Sequence, residues 1–316
     1  MKVAIEPQSR HEFEQAVQKS GGVPCRLSKD VTALIWTDYS KPDLLRQTLD
    51  ANPQLTWVQL PFAGVDAFAD VISREPVFTS AKGAYSEPVA EHALALCLAL
   101  GRAIPKRVRA KEWGEKFAVS LYESRVLIIG AGGIAKELVR LLEPFRCPVV
   151  CLGSQDIGKM GDELPNADFV VLACALTPET RGLFDRGAFS KMKNSAYLVN
   201  VARGGVVVTG DLIESLTSGE IAGAGLDVTD PEPLPTGHPL WEAPNLIITP
   251  HTADTDAQVV RMFADRIAAN VRAFVEESPW VGLVDKKLGY YAQSFLVVFL
   301  PVTTFLGSSI GRAIGC

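Results

Sequence analysis

The sequence predicts an α/β protein built on parallel sheets, and three observations carry that prediction. Short β-like runs alternate with helix-like runs from the first residues onward. A glycine loop, Gly130-Ala131-Gly132-Gly133-Ile134-Ala135, separates an apolar run from a helical pattern. The chain has 316 residues, 47% hydrophobic and 21% charged, which suits two packed domains and not a disordered chain. Regular alternation of the two element types implies parallel sheets covered on both faces.

The elements follow in order. Residues 3–5, 33–36 and 57–60 read as strands, with helices at 11–18 and 42–49 between them. Ser86-Glu87-Pro88 then opens a long helix: serine can cap it, glutamate suits the positive end, and proline is tolerated in the first turn. That helix runs through 89–104 and is apolar on most sides, so it is expected to be buried between domains or subunits. A second α/β unit begins at 125–129, with later strands at 148–152, 169–174, 196–201, 222–226 and 246–249. The helix after the glycine loop carries Ile134, Leu138, Leu141 and Leu142 on one face. Residues 252–276 form a long amphipathic helix with Val259, Phe263, Ile267 and Phe274 inward. The expected division is a dinucleotide-binding domain at 97–280 and a substrate domain made of 1–96 plus 281–316.

Composition excludes several classes. A net charge of −5 gives no electrostatic footprint for nucleic acid. The six cysteines, at 25, 97, 147, 151, 174 and 316, include no Cys-x-x-Cys pair and no zinc spacing, so no metal site is expected. They read as reduced and mostly buried, which suits a cytoplasmic protein. The start, Met1-Lys2-Val3-Ala4-Ile5-Glu6, meets an acid too soon for a signal peptide. The segment 292–316 is apolar, with Arg312 its one charge, but Pro301, Thr303, Thr304 and a Gly/Ser turn at 307–309 interrupt it. Spanning a membrane needs about 20 apolar residues. Packing against the first domain is therefore expected over an anchor.

The glycine loop follows a strand and opens a helix, the context a dinucleotide site requires. Gly130 makes the tight turn, Gly132 lets the backbone approach a pyrophosphate, and Ala135 permits close helix–strand packing. At the end of the next strand, an acid would bind the adenosine ribose diol. Gly153 stands there instead, followed by Ser154 and Gln155, with Asp156 three residues late. Both NAD(H) and NADP(H) stay open as cofactors. The missing acid leans to NADP(H), with Ser154 or Lys159 near the 2′-phosphate, although no arginine completes a pocket.

Three polar residues follow successive late strands. Arg203 lies past 196–201, where a guanidinium fork can hold a carboxylate bidentately. His251 ends 246–249 behind Pro250 and is the one histidine of four in such a setting. Imidazole is the usual proton carrier near neutral pH. Glu232 stands between Pro231 and Pro233, where a carboxylate on one imidazole nitrogen would fix the tautomer and free the other nitrogen for substrate. Singly, each has a plainer reading: a turn-capping arginine, a loop histidine, a solvated acid. Their joint placement at strand ends, where open α/β sheets bind ligands, favours catalysis.

These residues resemble the NAD(P)-dependent D-isomer-specific 2-hydroxyacid dehydrogenase family, in particular its glyoxylate/hydroxypyruvate reductase-like members. The likeness runs from Leu60 to Tyr290. It includes Ala63-Gly64-Val65-Asp66, Pro88-Val89-Ala90-Glu91-His92-Ala93-Leu94, Leu176-Thr177-Pro178-Glu179-Thr180, Asn200-Val201-Ala202-Arg203-Gly204-Gly205, Gly225-Leu226-Asp227-Val228 and Thr249-Pro250-His251. The resemblance implies a Rossmann cofactor domain inserted into a flavodoxin-like substrate domain, usually in a homodimer. It implies that Arg203, Glu232 and His251 are catalytic and that Ala63, Gly64 and Arg203 bind the substrate carboxylate. It implies cofactor contacts at Gly130, Gly132, Gly133, Ile134, Ser154, Leu176, Thr180, Val201, Ala202, Arg203, Asp227, which holds the nicotinamide carboxamide, and His251. His92 shares a motif but reads as structural. The expected activity is hydride transfer between NAD(P)H and a small 2-oxo acid or its D-2-hydroxy acid, with no nucleic acid or membrane partner. Formate dehydrogenase is disfavoured because position 232 is a carboxylate and not an amide, and phosphoglycerate dehydrogenase because too little chain follows Tyr290. The alternative is a nucleotide-sensing, co-repressor-like binding protein of the same fold. No basic patch or peptide motif supports it.

Overall fold

Alternating side chains on each strand give both faces of the first sheet an apolar lining. The structure, a computed structural model, describes residues 1–286 and 298–299. The first sheet contains β1 (Lys2–Glu6), β2 (Val23–Cys25), β3 (Ala33–Trp36), β4 (Trp57–Gln59) and β5 (Val77–Thr79), all parallel, in the order β2-β1-β3-β4-β5. That is the flavodoxin-like order. Ala4, Leu34, Trp36 and Val58 face α2 (Pro42–Ala51) and α3 (Ala69–Ile72). Val3, Ile5, Ala33, Ile35 and Trp57 lie on the other face, towards α1 (His11–Lys19). The strands β2 and β5, three residues each, escaped the sequence reading because neither carries an extended apolar run.

α4 (Ser86–Gly101) and α5 (Ile104–Arg109) lead to the second sheet. It contains β6 (Val126–Ile129), β7 (Val149–Leu152), β8 (Phe169–Leu172), β9 (Tyr197–Asn200), β10 (Gly223–Leu226), β11 (Leu246–Ile248) and the two-residue β12 (Val298–Phe299). The order is β11-β10-β9-β8-β6-β7-β12, parallel except for β12, which runs antiparallel to β7. α6 (Gly133–Leu142), α7 (Met160–Glu163), α8 (Arg186–Phe189) and α9 (Thr209–Ser218) lie between its strands. The chain doubles back across β6 to reach β8, so the glycine loop after β6 sits at the switch point where such sheets take ligands.

Four expectations are corrected. Ser86 is not a cap: Tyr85 holds that position, and the Ser86 hydroxyl donates to the Gly83 carbonyl at 3.0 Å. The helix expected through 104 stops at Gly101, because Ala103 takes a left-handed φ of 52° and α5 starts afresh. The helix expected from 252 begins instead with α10 (Asp256–Val275), capped by Thr255 in a reciprocal bond pair with Gln258. The tail was expected on the first domain, yet Val298–Phe299 pairs with β7 of the second sheet, whose edge offers unpaired backbone groups. The rest of 287–316, and with it the reading of the apolar tail, lies outside the described residues. Among those described, no helix is long and apolar enough to cross a membrane.

The two sheets exchange helices. α4, which follows the first sheet, buries Ala90, Ala93, Leu96, Cys97 and Leu100 against Val126, Ile128 and Val199 of the second. α10, which follows the second sheet, buries Phe263, Ile267 and Val271 against Val3, Ile35 and Trp57 of the first. By packing, α10 therefore belongs with the first sheet, not with the 97–280 unit in which its sequence position put it.

A buried polar network fixes that attachment. Asn270 donates to Gln59 Oε1 at 2.6 Å and to the Val281 carbonyl at 2.8 Å, and accepts the Val281 amide at 2.9 Å. Thr79 donates to the same Gln59 oxygen at 2.7 Å, and Trp57 donates to Thr79 at 2.9 Å. Arg266 reaches the carbonyls of Ser80 and Lys82 at 2.7 and 2.6 Å. The end of β4 and the loop that leaves β5 are thus tied to α10. Asn270 is fully buried, so Asn270→Ala strands three partners, and it should cost about 1–3 kcal/mol. The midpoint of urea unfolding followed by far-UV circular dichroism will show this loss.

Candidate active site

The glycine loop needs its glycines for shape. Gly130 sits at φ 126°, and a Cβ there would lie 2.5 Å from the Ala173 carbonyl oxygen. A Cβ on Gly132 would meet nothing within 4 Å, so that backbone is open to close approach. Gly132 caps α6, whose first amides point outward without intrahelical partners. This cradle fits a dinucleotide pyrophosphate. The loop 83–86 closes over it: Ser86 Oγ and Gly83 Cα lie against Gly133. Lys82 stands in the same loop, and burial together with Lys136 on α6 lowers its ammonium to about 8. At the end of β7, Lys159 is paired with Asp156 at 2.8 Å. In the loop after β8, Thr180 donates to the Ala175 carbonyl at 2.6 Å and accepts the Thr177 amide at 2.8 Å, which shapes the wall that carries Leu176.

Arg203 leaves the end of β9 through a turn held by fully buried Asn200. Asn200 accepts the Ala202 amide and donates to the Arg203 carbonyl, both at 3.0 Å. The guanidinium folds back so that Nη1 donates to the Ala202 carbonyl at 2.9 Å. Its Nη2 lies against Gly64 of the first sheet, where any side chain would collide with it. Nε stands 3.4 Å from Asp66 Oδ1, and Asp66 Oδ2 accepts a bond from the Tyr39 hydroxyl at 2.9 Å. Among the described residues, the amides of Ala63, Gly64 and Val65 find no acceptor. One guanidinium and three free amides beside it form a carboxylate-sized donor set.

Glu232 and His251 meet: Nδ1 of the imidazole lies 2.6 Å from Glu232 Oε1. That bond leaves Nε2 as the ring nitrogen available to a ligand. His251 takes a left-handed φ of 53°, and its amide donates to the Asp227 carbonyl at 2.8 Å. The loops of all three residues touch, because Gly204, next to Arg203, packs directly on the Thr229 carbonyl at the base of the Glu232 loop.

Asp227 anchors this assembly at 2% exposure. Oδ1 accepts from Thr249 Oγ1 at 2.7 Å and from the Thr252 amide at 2.9 Å, and Oδ2 accepts the Ala253 amide at 3.2 Å. His92 on α4 lies 3.4 Å from Oδ1 and 2.9 Å from Thr249 Oγ1. Oδ2 keeps acceptor capacity for a further donor. Sequence reading missed Tyr39, Asp66, Lys82 and the bonding of His92. Asp66 and His92 stood in quoted motifs, but nothing in the sequence placed Tyr39 or Thr249 beside them. Trp241 is half exposed and donates to the Pro235 carbonyl. Among the described residues no group of three metal-ligating side chains occurs.

Comparison with known proteins gives the family of the chain. The family described as D-isomer specific 2-hydroxyacid dehydrogenase, NAD binding domain, matches residues 93–253. The glyoxylate reductase/hydroxypyruvate reductase of Mus musculus is 34% identical over 269 residues, 78% of each chain. The D-isomer specific 2-hydroxyacid dehydrogenase of Xanthobacter autotrophicus, solved with NADPH and MES, superposes with a TM-score of 0.79 at 26% identity, covering 92% of this chain and 99% of that one. The NADPH-dependent glyoxylate/hydroxypyruvate reductase of Sinorhizobium meliloti, solved with NADP and sulfate, gives 0.74 at 25% identity over 92% and 99%.

The Asp227 carboxyl carries a pH signature. Burial pushes it up, but the bonds from His92, Thr249 and the Thr252 amide together outweigh burial and hold it below its ordinary value. The folded protein thus binds fewer protons there than the unfolded chain. The stabilisation is complete above the unfolded value of about 4 and is lost as pH falls through the folded one. Asp227→Asn should cost about 1–3 kcal/mol at pH 7, and its deficit against wild type should shrink as pH drops below about 4. Denaturant unfolding across a pH series reads both.

Proposed function

Because the chain belongs to the D-isomer specific 2-hydroxyacid dehydrogenases and is an NAD(P)-dependent oxidoreductase, we propose that it reduces a small 2-oxo acid of the glyoxylate and hydroxypyruvate class through Arg203, Glu232 and His251. The observation that carries this reading is the 2.6 Å His251–Glu232 pair at the end of the strands that also present Arg203. Arg203 and the amides of Ala63 and Gly64 bind the carboxylate, and the fork polarises the neighbouring carbonyl. A nicotinamide held in this cleft would supply the hydride for substrate C2. His251 Nε2 gives a proton to the forming alkoxide oxygen, and Glu232 steadies the ring's charge at Nδ1. Gly130, Gly132, Gly133 and Ile134 would hold the pyrophosphate, Leu176, Thr180, Val201 and Ala202 would line the cofactor path, and Asp227, whose Oδ2 keeps acceptor capacity, would hold the carboxamide. Gly153, where an acid would repel a 2′-phosphate, supports a preference for NADPH beside Ser154. The ratio of kcat/KM with NADPH to that with NADH tests the preference, and a ratio below one rejects it. The binding-protein alternative has no observation in its favour.

We further propose a homodimer. The segment after α4 leaves Ile104, Val108, Trp113 and Phe117 46%, 78%, 94% and 56% exposed, an apolar stretch that a second copy would cover. A cytoplasmic location is supported by the free cysteines, five among the described residues, whose buried members, Cys97 at about 12 and Cys151 at about 11, are held as thiols by burial. Recovery of the protein in a membrane or secreted fraction would reject it.

With NADPH and a panel of glyoxylate, hydroxypyruvate and pyruvate, wild type should consume cofactor absorbance. His251→Gln should lower kcat by about 10²–10⁴-fold while cofactor still binds by fluorescence. Turnover that survives the substitution would remove His251 from the chemistry. Size-exclusion chromatography with light scattering should give a dimer for wild type and a monomer for Trp113→Asp, whereas a monomeric wild type would reject the assembly.

A further inference from the structure

The acid-binding corner already holds a carboxylate, that of Asp66. Oδ1 of Asp66 lies on the Nε side of the Arg203 fork at 3.4 Å, and 2.8 Å from the point where a Cβ on Gly64 would stand. Arg203 Nη2 crowds the same point. Asp66, the guanidinium and the unpaired amides of Ala63, Gly64 and Val65 therefore share one small volume. The Asp66 contact is loose for an ion pair, and side-chain exposures of 26% for Arg203 and 40% for Asp66 leave both partners within reach of an incoming anion.

Tyr39 sets where that carboxylate sits. Its ring packs edge-on to Phe62 and Phe68, at 5.7 and 5.5 Å between centroids, so the hydroxyl is delivered to Asp66 Oδ2 from a rigid support. Burial, reinforced by the Asp66 charge, pushes the phenol up to about 12, so it remains a donor throughout the neutral range. Asp66 can take only one edge of the fork. A 2-oxo acid brings a carboxylate free to use the fork and the amides together, so it gains more bonds than Asp66 loses.

We propose that Asp66, latched by Tyr39, is a specificity-determining residue that occupies the carboxylate seat on Arg203 and yields it only to a substrate acid. The proposal rests on the assignment of Arg203 and the 63–65 amides to substrate binding. Its cost falls on substrate affinity, because part of the donor set must be released before the acid can bind.

The test measures the KM for glyoxylate, and the Kd of oxalate by calorimetry in the presence of NADPH, for wild type, Asp66→Asn, Tyr39→Phe and Arg203→Lys. Thermal melting confirms that each variant is folded. Removing the rival charge should lower both constants about three- to tenfold in Asp66→Asn, with the gain in KM and not in kcat. Tyr39→Phe keeps the aromatic packing, loosens only the latch, and should move both constants the same way by a smaller factor. It also carries the test if Asp66→Asn does not fold. Constants that rise or stay level in these variants, while Arg203→Lys weakens oxalate, would overturn the proposal and leave the substrate assignment standing. Oxalate that binds wild type no better than Arg203→Lys, with no oxo acid reduced, would remove the assignment itself and the proposal with it.

Discussion

The site depends on one buried carboxylate. Asp227 directly follows β10 and, through both oxygens, binds a side chain at the β11 end and two amides beyond it. Its carbonyl takes the amide of His251. A buried acid in this position is favourable only because each bond replaces one lost to water. The arrangement converts that requirement into order. The strand end, the histidine and the turn after it have one conformation that satisfies the carboxylate, and the imidazole is aimed by that conformation. His92 extends the anchor to α4, which links the His251 loop to the helix that leads in from the first sheet.

The same carboxylate explains why His251 can stand so near the point where the chain changes sheets. α10 starts at Asp256, five residues on, and packs against the first sheet. The amides of Thr252 and Ala253 are pinned before that crossing. The histidine is therefore held by the second sheet alone, together with Glu232 from the β10–β11 connection.

Much of this was legible in the sequence, for physical reasons. The central strands are runs of buried apolar residues, and β6, β8 and β9 fall within the segments expected for them. The glycine loop was legible because its turn and its close approach exclude a side chain. The pairing of Glu232 with His251 was legible because both follow successive strands of one sheet. What escaped was tertiary. The packing of α10 on the first sheet depends on which of two apolar faces accepts an amphipathic helix, and periodicity does not say. Ser86 looked like a cap because its side chain suits one, but the Gly83 carbonyl took its hydroxyl. Asp66 was visible as part of a loop motif, yet its bond to Tyr39 spans 27 positions, beyond any local pattern.

The corner formed by Arg203 and the 63–65 loop draws on both sheets. Arg203 comes from the second sheet, and the amides it stands beside come from the loop after β4 of the first. Neither half alone offers both a cation and a set of free amides. The loops of the first half are not free to drift, since Gln59, Ser80 and Lys82 are bonded to Asn270 and Arg266 on α10. α10 in turn is the direct continuation of the chain that carries His251. The polypeptide thus passes from His251 into the helix that braces the end of β4, from which the 60–65 loop leaves. The spacing between the group that would protonate the substrate and the groups that would hold its acid is set by the continuous helix from Asp256 to Arg266 and Asn270 and by the buried polar network those two residues make. A side-chain contact across open solvent could not hold that distance.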